Sequence, residues 1–173
     1  MNRRLAQGVG DEASVTAVVA LGSNLGDRGT TIEAAVADLR TLPGTSALEV
    51  APVLETVALT LHGPDASAPP YLNTVALVTT TLRPAELLAA LHEIEARHGR
   101  VRRERWGDRT LDLDLIAYDD VHSDDPALLL PHPRAAERDF VLRPWLAVDP
   151  DAVLPGRGRV DALLAALDDG GPA

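Results

Sequence analysis

The segment Leu111-Asp112-Leu113-Asp114-Leu115 narrows the possible folds more than any other part of the chain. Its strict apolar–polar alternation is the period of a β-strand with one buried face. Side chains two apart on a strand point the same way, with α-carbons roughly 6–7 Å apart. Asp112 and Asp114 therefore share a face, opposite the leucines. The stretch before it, Gly99 to Thr110, reads GRVRRERWGDRT and carries Arg100, Arg102, Arg103, Arg105 and Arg109 around Trp106. The whole chain has a formal charge of -10, so this concentration of guanidinium groups is a local exception. Two converging carboxylates repel each other unless a cation lies between them. A hard ion such as Mg2+, held by one or two carboxylates plus substrate phosphates, meets that need. Arginines on the adjoining loop can grip phosphate oxygens through planar, bidentate hydrogen bonds. Taken singly, a Leu-Asp strand also reads as an amphipathic strand with a solvated face, and an arginine-rich loop as an ion-paired surface. Their adjacency, with Gly99 and Gly107 loosening the backbone, points instead to a metal–phosphate site.

A chain of 173 residues reads as one domain with enough length to bury a core without disulfides or structural metals. Residues 15–173 are expected to form that domain, with residues 1–14 as a mobile extension. The N-terminus lacks the apolar stretch of a signal peptide, and no run is long enough to span a bilayer. Cysteine is absent, which rules out disulfides and thiolate metal sites and fits a cytoplasmic protein. All 16 basic residues are arginine, so the choice of Arg over Lys carries little functional weight. The net negative charge argues against non-specific nucleic-acid binding.

Val15 to Leu21 is a nearly continuous apolar run, as in a central strand buried on both faces. The turn cluster Gly22-Ser23-Asn24-Leu25-Gly26-Asp27-Arg28 leads into a helical pattern from Thr30 to Leu42. It has no Walker lysine and matches no nucleotide fingerprint, so alone it reads as structural. Ala47 to Thr56 is expected to be a second strand. Residues 57–70 carry three prolines without a regular period and read as a functional loop. Tyr71 to Thr80 reads as a third strand. A helix with proline in its first turn follows from Arg83 to about His98, with Leu87, Leu88, Leu91, Ile94 and Glu95 near one face and Gly99 as its stop. After the Asp-x-Asp strand, residues 119–126 read as a turn region. Pro131-His132-Pro133-Arg134 then leads to a short helical piece through Arg138, an apolar segment from Phe140 to Val148, and a last helix from Val160 to Leu167. The order β-α-β-β-α-β predicts an α+β fold, a ferredoxin-like sandwich with a mainly antiparallel sheet and helices packed on its faces.

Several motifs occur together in one order and spacing: Leu21-Gly22-Ser23-Asn24-Leu25-Gly26-Asp27, Tyr71-Leu72-Asn73, and Gly99-Arg100-Val101-Arg102. They are followed by Arg105-Trp106-Gly107, Arg109-Thr110-Leu111-Asp112-Leu113-Asp114, Pro131-His132-Pro133-Arg134, Glu137-Arg138 and Phe140-Val141-Leu142. From about Val15 to Pro155 the chain resembles the 6-hydroxymethyl-7,8-dihydropterin pyrophosphokinases of folate biosynthesis. The resemblance implies transfer of the β,γ-diphosphate of ATP to the pterin hydroxymethyl group, with release of AMP. It implies that Asp112 and Asp114 hold two Mg2+ ions, a charge arrangement suited to stabilising attacking and leaving oxygens. By matching position, His92, Glu95, Arg100, Arg109, Leu115, His132 and Arg138 bind ATP, and Arg102 and Trp106 lie in a mobile catalytic loop. Thr56, Tyr71, Asn73 and Phe140 bind the pterin, with the two rings sandwiching the base and the Asn73 amide reading its edge. Asp114 also falls near the hydroxymethyl group, where it can orient or deprotonate it through the metal. Without the resemblance, His132 reads equally as a residue shaping a proline-flanked turn, Tyr71 and Phe140 as core, and Asn73 as a strand-edge polar residue.

The chain departs from the family pattern at Val57-Ala58-Leu59, where proline and glycine are usual, at Leu54, where an aromatic is common, and at Asp108, which replaces a proline. Asp108 is expected to point outward. Two rivals remain. One is a binding-only descendant, against which the intact Asp112, Asp114, Arg100 and Arg109 speak. The other is an RNA-binding ferredoxin-like domain, which needs a basic surface and sheet aromatics. The expected partners are ATP and the pterin alone, with no nucleic acid and no membrane, acting on a monomer.

Overall fold

The computed structural model describes residues 13–60, 63–65, 67, 69–99 and 110–170. The chain opens with strand β1 (Val15–Ser23) and helix α1 (Arg28–Arg40). Next come β2 (Thr45–Val50), β3 (Leu54–Thr56), β4 (Ala58–Thr60), β5 (Gly63–Asp65) and β6 (Tyr71–Thr80). Helix α2 (Pro84–Arg97) precedes β7 (Asp112–Tyr118), β8 (Ser123–Asp125) and β9 (Leu128–Leu130). A 3₁₀ turn over Ala135–Glu137, helix α3 (Asp139–Val148), strands β10 (Val153–Leu154) and β11 (Gly158–Arg159), and helix α4 (Val160–Asp169) complete the chain. The main sheet runs β2-β6-β1-β7, with β3 also on β6, and every pairing is antiparallel. That order and the antiparallel pairing are those of the expected ferredoxin-like α+β sandwich.

Helix boundaries follow local chemistry. The Asp27 carboxylate accepts from the Thr30 amide at 3.1 Å and caps α1. At α2, Pro84 occupies the first turn, and the Arg83 amide donates to Glu86 Oε2 at 2.9 Å. Gly99 follows the last turn with φ +82°, the left-handed conformation that glycine adopts at little cost.

Alternation along the strands sorts side chains into two cores. Ala17, Val19, Leu21, Ala76, Val78, Leu113 and Leu115 pack against Ile32, Ala35 and Leu39 of α1 and Leu87, Leu91 and Ile94 of α2. On the opposite face, Val18, Val75, Ile116 and Ala117 meet Val141, Leu142 and Trp145 of α3, with Leu154 and Val160 behind them. A register shift at Val18/Val19 makes Ile116 the extra residue of β7, so Ile116 and Ala117 both join the second core.

The structure departs from sequence expectation in four places. The second strand is broken, because Ala51-Pro52-Val53 interrupts it. Thr74 Oγ1 holds the Ala51 carbonyl at 2.8 Å, and pairing with β6 resumes at Leu54 opposite Asn73. The expected loop 57–70 contains the hairpin of β4 and β5. The turn region 119–126 includes β8, paired with β9. The apolar segment after Phe140 is helix α3, which continues past Pro144 because Val141, Leu142 and Trp145 bury one face of it. Leu88 is half-buried, unlike its α2 neighbours Leu87 and Leu91. The expected N-terminal extension lies, through residue 12, outside the described residues.

Leu91, fully buried between α2 and the sheet, is a direct test of the first core. Leu91→Ala should lower unfolding free energy by about 2–5 kcal/mol. Urea denaturation at constant m-value measures it, and a loss below about 1 kcal/mol would contradict the packing.

Candidate active site

At the end of the sheet where β1 gives way to the Gly22–Arg28 turn, the second face is left uncovered and forms a cavity of about 600 Å³. Its floor follows from register. Asn73 on β6, Gly22 on β1 and Asp112 on β7 are lateral neighbours, and Val75, Ala20 and Asp114 form the next row. On this face the middle strand places Ala20 and Gly22, with Leu21 between them also in the lining, between an amide on one side and two carboxylates on the other. A Cβ on Gly22 would lie 3.0 Å from Asn73 Oδ1, so glycine leaves room for that amide. The far wall comes from the 3₁₀ turn and the start of α3, through Arg134, Glu137, Arg138, Asp139 and Phe140, and the near rim from Thr56, Val57 and Tyr71.

Polar contacts fix these groups. Asn73 Nδ2 donates to Thr56 Oγ1 at 2.7 Å, which turns Oδ1 toward Gly22. Arg138 Nη1 donates to Asp114 Oδ2 at 2.9 Å, and its guanidinium carbon sits 5.7 Å from the Phe140 ring centroid, within cation–π range. Beneath the aspartates, Glu95 is 1% exposed, and its Oε1 accepts from the Leu113 amide at 2.8 Å. A buried carboxylate on α2 therefore holds the edge strand between Asp112 and Asp114. Ser23 Oγ donates to the Thr110 carbonyl at 2.5 Å and ties the chain just before β7 to the end of β1.

His132 is placed by its own amide, which donates to the Ile116 carbonyl at 2.8 Å. Its Nδ1 faces the Arg134 amide at 3.2 Å and accepts from it, which assigns the ring proton to Nε2. Burial pushes the imidazole below its usual range, Arg138 and Arg134 push it the same way, and Asp114 and Asp112 oppose them.

Seven of the residues expected from sequence therefore surround one cavity: Thr56, Tyr71, Asn73, Asp112, Asp114, Arg138 and Phe140. His132 adjoins it electrostatically through Asp114 and Arg138. His92 is exposed on α2, and neither it nor Glu95 is among the described residues lining the cavity. Leu115 turns its side chain into the opposite core, so any contact it makes on the cavity side is through its main chain. Arg100, Arg102, Trp106, Asp108 and Arg109 lie outside the described residues. Sequence reasoning gave no site role to Ala20, Leu21, Gly22, Val57, Thr74, Arg134, Glu137, Asp139 and Val141, which also line the cavity. Leu21, Gly22, Arg134, Glu137 and Val141 stand in motifs already quoted, whereas Ala20 and Thr74 are recognisable only once strand register is known, and Asp139 only once α3 is placed.

The carboxylate pair fits a hard divalent cation. Among the described residues no group of three or more His, Asp or Glu side chains is arranged to hold a metal, so protein donors alone do not complete a shell. Mg2+ suits such a pair because it keeps waters and takes its remaining oxygens from substrate phosphates. The described lining also has more carboxylates than guanidinium groups, with Asp112, Asp114, Glu137 and Asp139 against Arg134 and Arg138.

Fold and site together define a ferredoxin-like α+β domain with an acidic, arginine-flanked trough at one end of its sheet. The chain belongs to the 7,8-dihydro-6-hydroxymethylpterin-pyrophosphokinase family, whose profile matches residues 18–150. It is 43% identical over 148 residues to the 2-amino-4-hydroxy-6-hydroxymethyldihydropteridine pyrophosphokinase of Pseudomonas aeruginosa, covering 86% of this chain and 89% of that one. The enzyme of the same name from Methylorubrum extorquens is 36% identical, with 90% and 95% covered. Among solved structures, a triple mutant of Plasmodium falciparum HPPK-DHPS aligns with a TM-score of 0.67 at 13% identity, a likeness of fold alone. The match covers 91% of this chain and 45% of that one, so the chain spans less than half the length of that protein.

The His132 environment has a pH signature in the metal-free protein. Unfolded, the imidazole titrates near its ordinary 6.5, and folded it titrates lower. Between those values the unfolded chain binds the extra proton, so stability falls as pH drops below 6.5 and recovers as it rises. Urea denaturation across this range should show that slope, and His132→Gln should flatten it. An unchanged slope in the variant would assign the effect elsewhere.

Proposed function

We propose that this chain transfers the β,γ-diphosphate of ATP to the hydroxymethyl oxygen of 6-hydroxymethyl-7,8-dihydropterin and releases AMP, as a Mg2+-dependent step of folate biosynthesis. The observation that carries the reading is the floor of the cavity, where the Asn73 amide and the Asp112/Asp114 pair face each other across Ala20 and Gly22. A flat heterocycle and a polyphosphate need that arrangement side by side. Membership of the pyrophosphokinase family supports the same chemistry.

In this reading the pterin enters between Tyr71 and Phe140, whose faces stack on it. Asn73, oriented by Thr56, both donates to and accepts from the heterocycle edge. The hydroxymethyl oxygen is then directed toward Asp114. Attack on the β-phosphorus forms one O–P bond and breaks the bond from that phosphorus to the bridging oxygen of the α-phosphate, which leaves with AMP. The hydroxymethyl proton departs from the attacking oxygen, and Asp114 is the residue assigned to orient that oxygen or accept its proton. Such transfers ask the protein mainly for alignment and charge stabilisation. Arg138, already bonded to Asp114, supplies a fixed cation beside the transferred group. Half-buried His132 has its proton on Nε2, available to a phosphate oxygen. Arg100 and Arg109 bind the phosphates, Arg102 and Trp106 act as catalytic residues, and Glu95 and His92 serve the nucleotide end.

Asp112 and Asp114 would hold two Mg2+ ions. When bound, these neutralise charge on the attacking and leaving oxygens. Residues 15–173 act as one catalytic domain, monomeric and cytoplasmic, with ATP and the pterin as its partners. No described helix is long and apolar enough to cross a membrane.

Pterin-dependent release of AMP from ATP tests the reading, and its absence in the wild-type protein would refute it. Asp112→Ala and Asp114→Ala should each lower kcat roughly a hundredfold or more. EDTA should abolish turnover, with recovery on adding Mg2+. Turnover that survives either substitution would remove the carboxylate pair from the mechanism.

A further inference from the structure

One side chain outside the cavity secures both ends of the segment that forms its rim. Arg28 is the first residue of α1 and is not among the residues that line the cavity. Its Nη1 donates to the Pro70 carbonyl and also lies 3.8 Å from Glu55 Oε2. Glu55 immediately precedes Thr56, and Pro70 immediately precedes Tyr71. Thr56 and Tyr71 are the last paired residues of the β3–β6 ladder. Beyond them the chain departs into the β4–β5 excursion and returns. Arg28 therefore sits where the excursion leaves the sheet.

This junction is weak by itself. Strand β3 has only three residues, and a ladder that short frays at its open end. Pro70 has no amide hydrogen to extend the pairing, and its carbonyl lies past the last pair. The guanidinium supplies the missing donor from a partly shielded position, with 27% of its side chain exposed. The Glu55 carboxylate is 60% exposed, so the ion pair adds little and the bond to Pro70 dominates.

We propose that Arg28 is a positioning residue for the pterin. By fixing Pro70 it holds Tyr71 opposite Thr56, and that register lets the Thr56 hydroxyl accept from Asn73. One contact outside the cavity thus presents the stacking ring and the edge-reading amide together. The inference rests on the pterin assignment made above. It differs from a general structural role because only one of the two substrates should notice its loss.

The test is steady-state kinetics on the full chain, varying the pterin and ATP separately, beside thermal melts. Arg28→Ala should raise KM for the pterin roughly tenfold, the fold-change of one lost charge-assisted hydrogen bond. Its kcat and its KM for ATP should stay within about twofold. Arg28→Lys, which keeps a charged donor, should recover most of the pterin affinity, and Glu55→Gln should have little effect. If Arg28→Ala does not fold, the lysine variant and an Arg28→Gln variant carry the same comparison. An unchanged pterin KM in a folded alanine or glutamine variant overturns the proposal, as does an equal loss for both substrates. A wild-type protein that releases no AMP with the pterin refutes the functional reading and this inference with it. An active wild type with an unmoved KM removes Arg28 alone.

Discussion

The alternation of side chains along β6, β1 and β7 is the constraint from which the rest of the molecule follows. One set of positions must be apolar because α1 and α2 bury it, with Leu21, Ala76, Leu113 and Leu115 among its members. The other set is apolar only where α3 covers it, at Val18, Val75 and Ile116. Beyond the reach of α3 the same face turns polar, through Asn73, Asp112 and Asp114. The site is thus the uncovered end of a sheet face, and its polar groups avoid the cost of burial without partners. Gly22 belongs to this logic, since a side chain there would meet the Asn73 amide.

Charge within the trough is balanced in layers. Glu95 lies beneath the aspartate strand, and its carboxylate is engaged by the Leu113 amide. Asp114 faces Arg138, which in turn lies over Phe140. Arg138 therefore links the carboxylate side of the cavity to its aromatic side, and the α3 helix that carries the ring also carries Asp139. His132 is kept neutral by burial between residues of opposite charge. A neutral imidazole beside an acidic pair keeps an N–H donor without adding a positive charge to the trough.

Much of the fold was legible because several segments have unambiguous periods. β1 is apolar on both faces because it is central, and β6 extends over the whole range Tyr71–Thr80 that its composition suggested. α2 has a proline start, a capping glutamate and a glycine stop, three signals that agree. Legibility failed where tertiary context outweighed local preference. Pro52 split one apparent strand in two. Pro144 concealed a helix that its buried face stabilises. The β4–β5 hairpin has no alternating pattern because its strands are short and lie off the main sheet.

By itself the sequence determined the chemical inventory and its local order. It placed two acids on one face of a strand, arginines beside them, a tyrosine two residues before an asparagine, and a histidine flanked by prolines. Those facts depend only on spacing and the two-residue period of a strand. Which groups meet was decided by tertiary structure. Asn73 and Asp112 are far apart along the chain and become lateral neighbours only because β1 lies between β6 and β7. Arg138 reaches Asp114 only because α3 packs across that face. Arg28, which looked like part of a structural turn, became a contact of Pro70 only when the sheet brought the end of β1 beside the start of β6. Register and packing couple residues distant along the chain, and a pattern read along one strand carries no information about its neighbour.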